Sequence, residues 1–228
     1  MARLSTSRMP RPASQRHAAD YGPLAPVYDL LAGLAFGGSL RRAQRAALAA
    51  GLAGLEPQPR ILVLGGGTGW VLGPLWQQCP TAQVLYVEVA ASMLVATKAQ
   101  LARMPPPAGA RLEMRHGSEA DLLPGEQFDA IITFFVLDSF LPHALPAALG
   151  RLLAARAPQA PWLVVDFWPA RAGWRRALLQ AMYLFFRVTV RLQARFMPPW
   201  PSDLAALGLR VTWEERFFGK AVAAQVWR

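Results

Sequence analysis

Cysteine, lysine and histidine are scarce in this chain, and no long uninterrupted apolar run occurs. Its 228 residues hold one cysteine, Cys79, and three histidines. That excludes an internal disulfide and any multi-cysteine zinc site, so no bound metal is expected. No stretch reaches the roughly 20 apolar residues that a membrane-crossing helix needs. Residues 1–20 are basic and broken by Ser and Pro, without the apolar segment of a secretory signal. A cytoplasmic location is the expectation. Only Lys98 and Lys220 are lysines, so arginine carries the formal net charge of +10. Such an excess favours an anionic partner, and an anionic membrane surface fits it. No nucleic-acid motif accompanies the charge, so no specific nucleic acid is expected.

What is present is enough for one large domain. The chain is 54% hydrophobic and 17% charged, the balance of a folded protein with a real core. Residues 1–20 read as a flexible basic tail and residues 21–228 as a single domain, in which 21–58 form a helical lead-in. Pro23 and Pro26 hold off a regular helix until about Pro26. Gly37-Gly38 breaks it, and Ser39 is placed to cap a helix over 40–52 that carries Arg41, Arg42 and Arg45.

The centre of the pattern is Ile61-Leu62-Val63-Leu64-Gly65-Gly66-Gly67-Thr68-Gly69. Four branched apolar residues predict a strand buried on both faces. Glycines at 65, 67 and 69 permit positive φ and close approach of a ligand. A helix is predicted over 71–78 and a second strand over 82–89. That strand carries Glu88, 23 residues (88 − 65) beyond the first glycine. A carboxylate there accepts hydrogen bonds from both hydroxyls of a ribose. A dinucleotide fingerprint would need a third glycine at position 70, where Trp70 stands. Beyond these lie a helix over 92–104, strands over 111–116 (near an edge) and 128–135, a helix over 144–157 and a strand over 162–167. A long helix over about 172–196 carries Arg187, Arg191 and Arg195 on one face. Two closing strands, 209–217 and 220–227, have only Phe218-Gly219 as their turn. The alternation predicts an α/β fold: Rossmann-like, doubly wound, with a mostly parallel seven-stranded sheet and an antiparallel C-terminal hairpin.

These stretches resemble the class I S-adenosylmethionine-dependent methyltransferases over about residues 21–228. Residues 61–69 are similar to that family's first motif. Glu88-Val89-Ala90-Ala91-Ser92-Met93-Leu94 is similar to its second, and residues 117–124 resemble the acidic loop beside the adenine. Ala25-Pro26-Val27-Tyr28-Asp29 and Phe36-Gly37-Gly38 look like the start of the quinone-biosynthesis and phospholipid methyltransferase branches. The resemblance departs at Val63, where the family usually has Asp or Glu, and at Ser118, where aspartate is common. Pro158-Gln159-Ala160-Pro161 replaces the usual Pro-Gly-Gly.

The resemblance implies S-adenosylmethionine as cofactor, held by Tyr28, Gly65, Gly66, Gly67, Thr68, Gly69, Glu88, Val89, Met93, Ser118, Glu119 and Phe134. Phe135, Asp138, Phe167 and Trp168 are candidates for the acceptor side, which should be hydrophobic and suit a small, apolar or lipid-like molecule. Asp138 and His143 are candidate bases. Methyl transfer needs positioning above all, an effect of up to roughly 7–11 kcal/mol. The absence of a nucleophile triad therefore does not count against an enzyme. The alternatives are a non-catalytic methyltransferase-like protein that docks on a membrane or partner, and an aminopropyltransferase-like enzyme.

Overall fold

A computed structural model describes residues 36, 38–169, 173, 174, 176, 177 and 197–228. The tail, the lead-in up to residue 35 with Tyr28, and most of the expected 172–196 helix with its three arginines lie outside the described residues. Strands β1 (Arg60–Leu64), β2 (Gln83–Glu88), β3 (Arg111–His116), β4 (Ala130–Phe134), β5 (Trp162–Phe167), β6 (Val211–Phe217) and β7 (Val222–Trp227) form one sheet, ordered β3-β2-β1-β4-β5-β7-β6. The first five run parallel, whereas β7 is antiparallel to both β5 and β6. This is the expected doubly wound sheet with its terminal hairpin, and β3 lies at an edge as its alternating pattern predicts.

Burial on both faces explains the apolar strands. Ile61 and Val63 of β1 enter one core with Ala43, Ala47, Leu48 and Leu52 of α1 (Ser39–Leu52). Leu62 and Leu64 enter the opposite core. That second core is closed by Leu145, Leu149 and Leu152 of α4 (Leu145–Ala154) and by Trp200 and Leu204 of α5 (Trp200–Ala206). The short helix α2 (Leu72–Gln78) follows the glycine loop, and α3 (Ala91–Arg103) follows β2. Helix α1 lies close against β5, where a Cβ on Gly51 would stand 2.5 Å from the Leu163 side chain. The sheet order reverses at β1, which pairs with β2 on one side and β4 on the other. The crevice beyond the carboxyl ends of β1 and β4 is therefore the place for a ligand.

Four local expectations change. Ser39 is not the cap of α1: Gly38, at φ 74°, takes that position without a side-chain bond, and the Ser39 hydroxyl accepts from Arg42 Nη2 at 3.0 Å. Helix α5 is not among the expected elements, and two prolines, Pro199 and Pro201, stand at its start. Pro201 sits in its first turn, where no N–H is needed. The strand around Ile131 is shorter than 128–135, since Phe135 turns to φ 56° and ends it. The hairpin turn has four residues, 218–221, with Phe218, Gly219 and Lys220 all at positive φ and Ala221 N–H donating to Phe218 O at 3.0 Å.

Candidate cofactor cleft and acceptor wall

The glycine loop takes its shape from positions where a side chain would not fit. Gly65, Gly67 and Gly69 have φ of 64°, 63° and 84°. A Cβ on Gly66 would lie 2.2 Å from the Tyr86 ring, and one on Gly65 would lie 2.4 Å from Val136. Gly67 differs, because a Cβ there meets nothing within 4 Å; its open side is the floor of the cleft. Gly65 N–H donates to Val87 O at 2.8 Å, joining the loop to β2. From behind, Tyr86 donates to Gly67 O at 2.8 Å, with Thr97 Oγ1 2.9 Å from the same oxygen. Gln100 Nε2 donates to Gly69 O at 3.2 Å. Gly69 thus closes the turn and does not line the cleft.

Glu88 ends β2 almost completely buried. Its Oε2 accepts from Gly67 N–H at 3.0 Å and its Oε1 from Ala90 N–H at 2.9 Å. Burial raises the carboxyl above its ordinary range, and these backbone donors pull it back down. Each oxygen keeps a second lone-pair direction, so the carboxylate can hold the loop and still accept from a diol. Val89 and Met93 flank it with apolar surface.

Gly65, Gly66, Gly67, Thr68, Glu88, Val89, Met93, Phe134 and Phe135 are brought together around one cleft of about 170 Å³. Ser118 and Glu119 are not among its lining residues. Ser118 is engaged with Asp121 in a reciprocal cap, its N–H donating to Asp121 Oδ2 at 2.8 Å. The buried Glu119 accepts from Arg151 Nη2 at 2.7 Å. The cleft also includes residues not expected there from the sequence: Gln44 of α1, Trp70, Val71, Val136 and Ser139. Trp70 follows the loop directly and is within reach of the motif. Gln44 lies 21 residues (65 − 44) before Gly65 on another element, and nothing local marks it.

Beside the cleft stands a row of rings. Phe135 packs on Phe167 with centroids 5.3 Å apart, and Phe167 on Phe36 at 5.6 Å. Phe36 meets Phe218 at 5.1 Å, and Phe218 meets Trp174 at 6.0 Å. Trp168 does not join this row. It packs with the opposite core, edge-on to Trp200 at 5.7 Å, with the Arg216 guanidinium 3.4 Å from its ring centre. Asp138 lies in the 3₁₀ turn Leu137–Ser139 that follows β4. Its backbone N–H donates to Oδ2 of the fully buried Asp166 at 3.2 Å, while Phe167 N–H donates to Asp166 Oδ1 at 2.7 Å. Burial pushes the Asp138 carboxyl up to about 7. It raises Asp166 well above the usual range, and the neighbouring Asp138 charge raises it further. His143 is exposed in the turn before α4 and is not part of the cleft lining.

A seven-stranded sheet of this order, with a glycine loop after β1 and an acid at the end of β2, defines a class I methyltransferase-type nucleoside-binding domain. Comparison with known proteins agrees. A family profile described as "Methyltransferase domain" matches residues 62–161. Demethylmenaquinone methyltransferase of Thermus thermophilus is 36% identical over 160 residues, 67% of this chain and 66% of that protein. Among solved structures, DhpI in its SAH complex aligns at TM-score 0.65 and 18% identity, over 91% of this chain and 92% of DhpI. The mitomycin 7-O-methyltransferase MmcR aligns at TM-score 0.64 and 19% identity, over 83% of this chain. The chain spans 66% of the length of the Thermus relative and 53% of MmcR. It belongs to the class I S-adenosylmethionine-dependent methyltransferase family, whose cofactor is S-adenosylmethionine. The residues present suit that cofactor: an open glycine floor, a buried carboxylate with spare acceptor capacity for the ribose, and apolar walls. Among the described residues no helix is long and apolar enough to cross a membrane.

Proposed function

We propose that this protein transfers a methyl group from S-adenosylmethionine to a small apolar acceptor of the lipid-like or quinone type. The observation that carries the acceptor class is the row Phe135–Phe167–Phe36–Phe218–Trp174, which continues from the cleft wall. Phe36 and Phe167 are core rings that back the row, while Phe135, Phe218 and Trp174 keep ring area open, and an apolar molecule that covers it gains about 25 cal/mol per Å². The demethylmenaquinone methyltransferase relative supports this acceptor chemistry. When bound, the cofactor supplies a sulfonium methyl open to in-line displacement. In this reading Gly65–Thr68, Glu88, Val89, Met93 and Phe134 hold the cofactor. Phe135 orients the acceptor and keeps water from it, held in place by the buried Phe167 behind it. For an acceptor that must lose a proton, Asp138 is the candidate base: it is not in the cleft lining itself but lies in the turn after β4, next to the lining residue Ser139.

The test is methyl transfer from labelled cofactor to a lipid-soluble extract, with the product identified by mass spectrometry. An apolar product that gains one methyl supports the reading. Saturable cofactor binding with no transfer to any apolar fraction would refute it and favour a non-catalytic binding protein. The exposed Arg41, Arg42 and Arg45 of α1 further support collection of the acceptor at an anionic membrane surface. Liposome association reversed by salt is the expected result, and association indifferent to salt or lipid charge would contradict it.

A further inference from the structure

Beneath the glycine loop lies a recess of about 40 Å³, lined by Gln44, Val63, Gly65, Gly66, Ile132 and Phe134 among others. It adjoins the cofactor cleft, with which it shares Gln44, Gly65, Gly66, Val71 and Phe134. A space of this size holds one water or one small polar group but no ring. Glu88, Val89 and Met93 line the cleft and not the recess, so the recess opens at the end of the loop away from the ribose carboxylate.

The polar resources at this end are few. Val63, where the family usually has an acid, is buried and offers no acceptor. The Ser139 hydroxyl already donates to Val136 O at 2.6 Å. Gln44 projects from α1 with a partly buried side chain that makes no hydrogen bond to the described residues, and it lines both spaces. Near it on the same helix, Arg41 and Arg45 stand over the Trp70 ring at 5.1 and 5.6 Å, and Trp70 also lines the cleft. An amide acceptor next to two guanidiniums suits a zwitterion, with an ammonium at the amide and a carboxylate toward the cations.

From this we infer that Gln44 is the positioning residue for the amino-acid end of the cofactor, its Oε1 accepting from the ammonium where β1 offers only Val63. This rests on the cofactor assignment and adds a residue of α1 to it. A nucleoside without the amino-acid end makes no use of Gln44.

Calorimetry with two probes tests the inference: S-adenosylhomocysteine, and 5′-methylthioadenosine, which keeps the nucleoside and lacks the amino acid. Gln44→Ala is expected to weaken S-adenosylhomocysteine about tenfold, the scale of one hydrogen bond to a charged group. It should leave methylthioadenosine within about twofold of its original affinity. Gln44→Glu, which returns an acid to the recess, is expected to recover the lost selectivity between the two probes. Helix-compatible substitutions at a partly exposed position keep the fold, and melting curves verify it. Equal loss for both probes, or loss for neither, overturns the role of Gln44. A wild-type protein that binds neither probe overturns the cofactor reading as well, which separates the two failures.

Discussion

Truncating Glu88 tests whether one carboxylate both shapes the loop and serves the cofactor. Glu88→Ala removes the acceptor from two backbone donors, Gly67 N–H and Ala90 N–H, at a residue only 5% exposed. Leaving a buried donor unsatisfied costs about 1–3 kcal/mol each. Release from burying a charge offsets part of this, because burial opposes the ionised form of Glu88. The net destabilisation is about 2–4 kcal/mol, which for a domain of this size lowers the melting temperature by roughly 5–15 °C. Glu88→Gln keeps one acceptor oxygen but turns an NH₂ toward the other backbone donor, and it should lose about half as much. Thermal melts with and without S-adenosylhomocysteine read both effects. If Glu88→Ala melts within about 1 °C of the parent, the carboxylate does not hold the loop and the reasoning fails. If Glu88→Gln melts close to the parent yet shows no ligand-induced shift, the ribose contact is isolated from the structural one.

Gly66→Ala sets a Cβ 2.2 Å from the Tyr86 ring and should cost about 1–3 kcal/mol in denaturant unfolding, with loss of cofactor binding; an unchanged midpoint would show that Tyr86 can move aside. At Phe135, held at φ 56°, Phe135→Gly should be about 1 kcal/mol more stable than Phe135→Ala although both lose the ring; equal stabilities would mean that the positive φ is not kept in solution. Arg151→Ala strips the partner from buried Glu119. Because Arg151 is itself 47% exposed, the cost should be about 1–2 kcal/mol, below the roughly 3–5 kcal/mol of a fully buried pair, and Glu119→Gln in the same chain should recover most of it. Asp138 has a folded pKa of about 7 against an ordinary 3.8, so the native state keeps a proton that the unfolded chain releases. Stability should therefore fall as pH rises from about 4 to 7, and urea titrations of Asp138→Asn should show a flatter profile; an identical slope would remove Asp138 from the balance.

The sequence carries the sheet and the cofactor floor because both are written locally. A double-faced strand must be apolar at every position, so residues 61–64 announce themselves. A loop that needs positive φ at 65, 67 and 69 must carry glycine there. Glu88 is equally legible, being an acid at the end of an apolar run. What stays hidden depends on which partner a side chain meets across the fold. In the acidic segment 117–124, which resembles the loop beside the adenine, the sequence does not show that Ser118 and Asp121 satisfy one another or that Glu119 finds Arg151, 32 residues (151 − 119) away. Trp168 and Phe167 are adjacent in sequence but face opposite cores, because side chains alternate along a strand. Helix α5 is obscured because proline breaks a helix interior but suits a first turn.

Val63 shows why a motif read along one strand can mislead about a site built from two elements. Position 63, two residues before the first glycine, reaches the recess only from β1, whereas α1 brings Gln44 to the same space. A polar group lost from the strand can be supplied by the helix without any change in the motif, provided that the helix is held in register. That register is fixed by packing: Ala43 and Ala47, on either side of Gln44, are completely buried, and Gly51 lets the helix approach Leu163. Gly51→Ala should therefore weaken binding of S-adenosylhomocysteine more than that of methylthioadenosine, although residue 51 is not part of the cleft lining. It would do so by pushing α1 off β5 and drawing Gln44 out of the recess. Equal weakening of both ligands would mean that α1 governs only the stability of the fold and not the amino-acid end of the site.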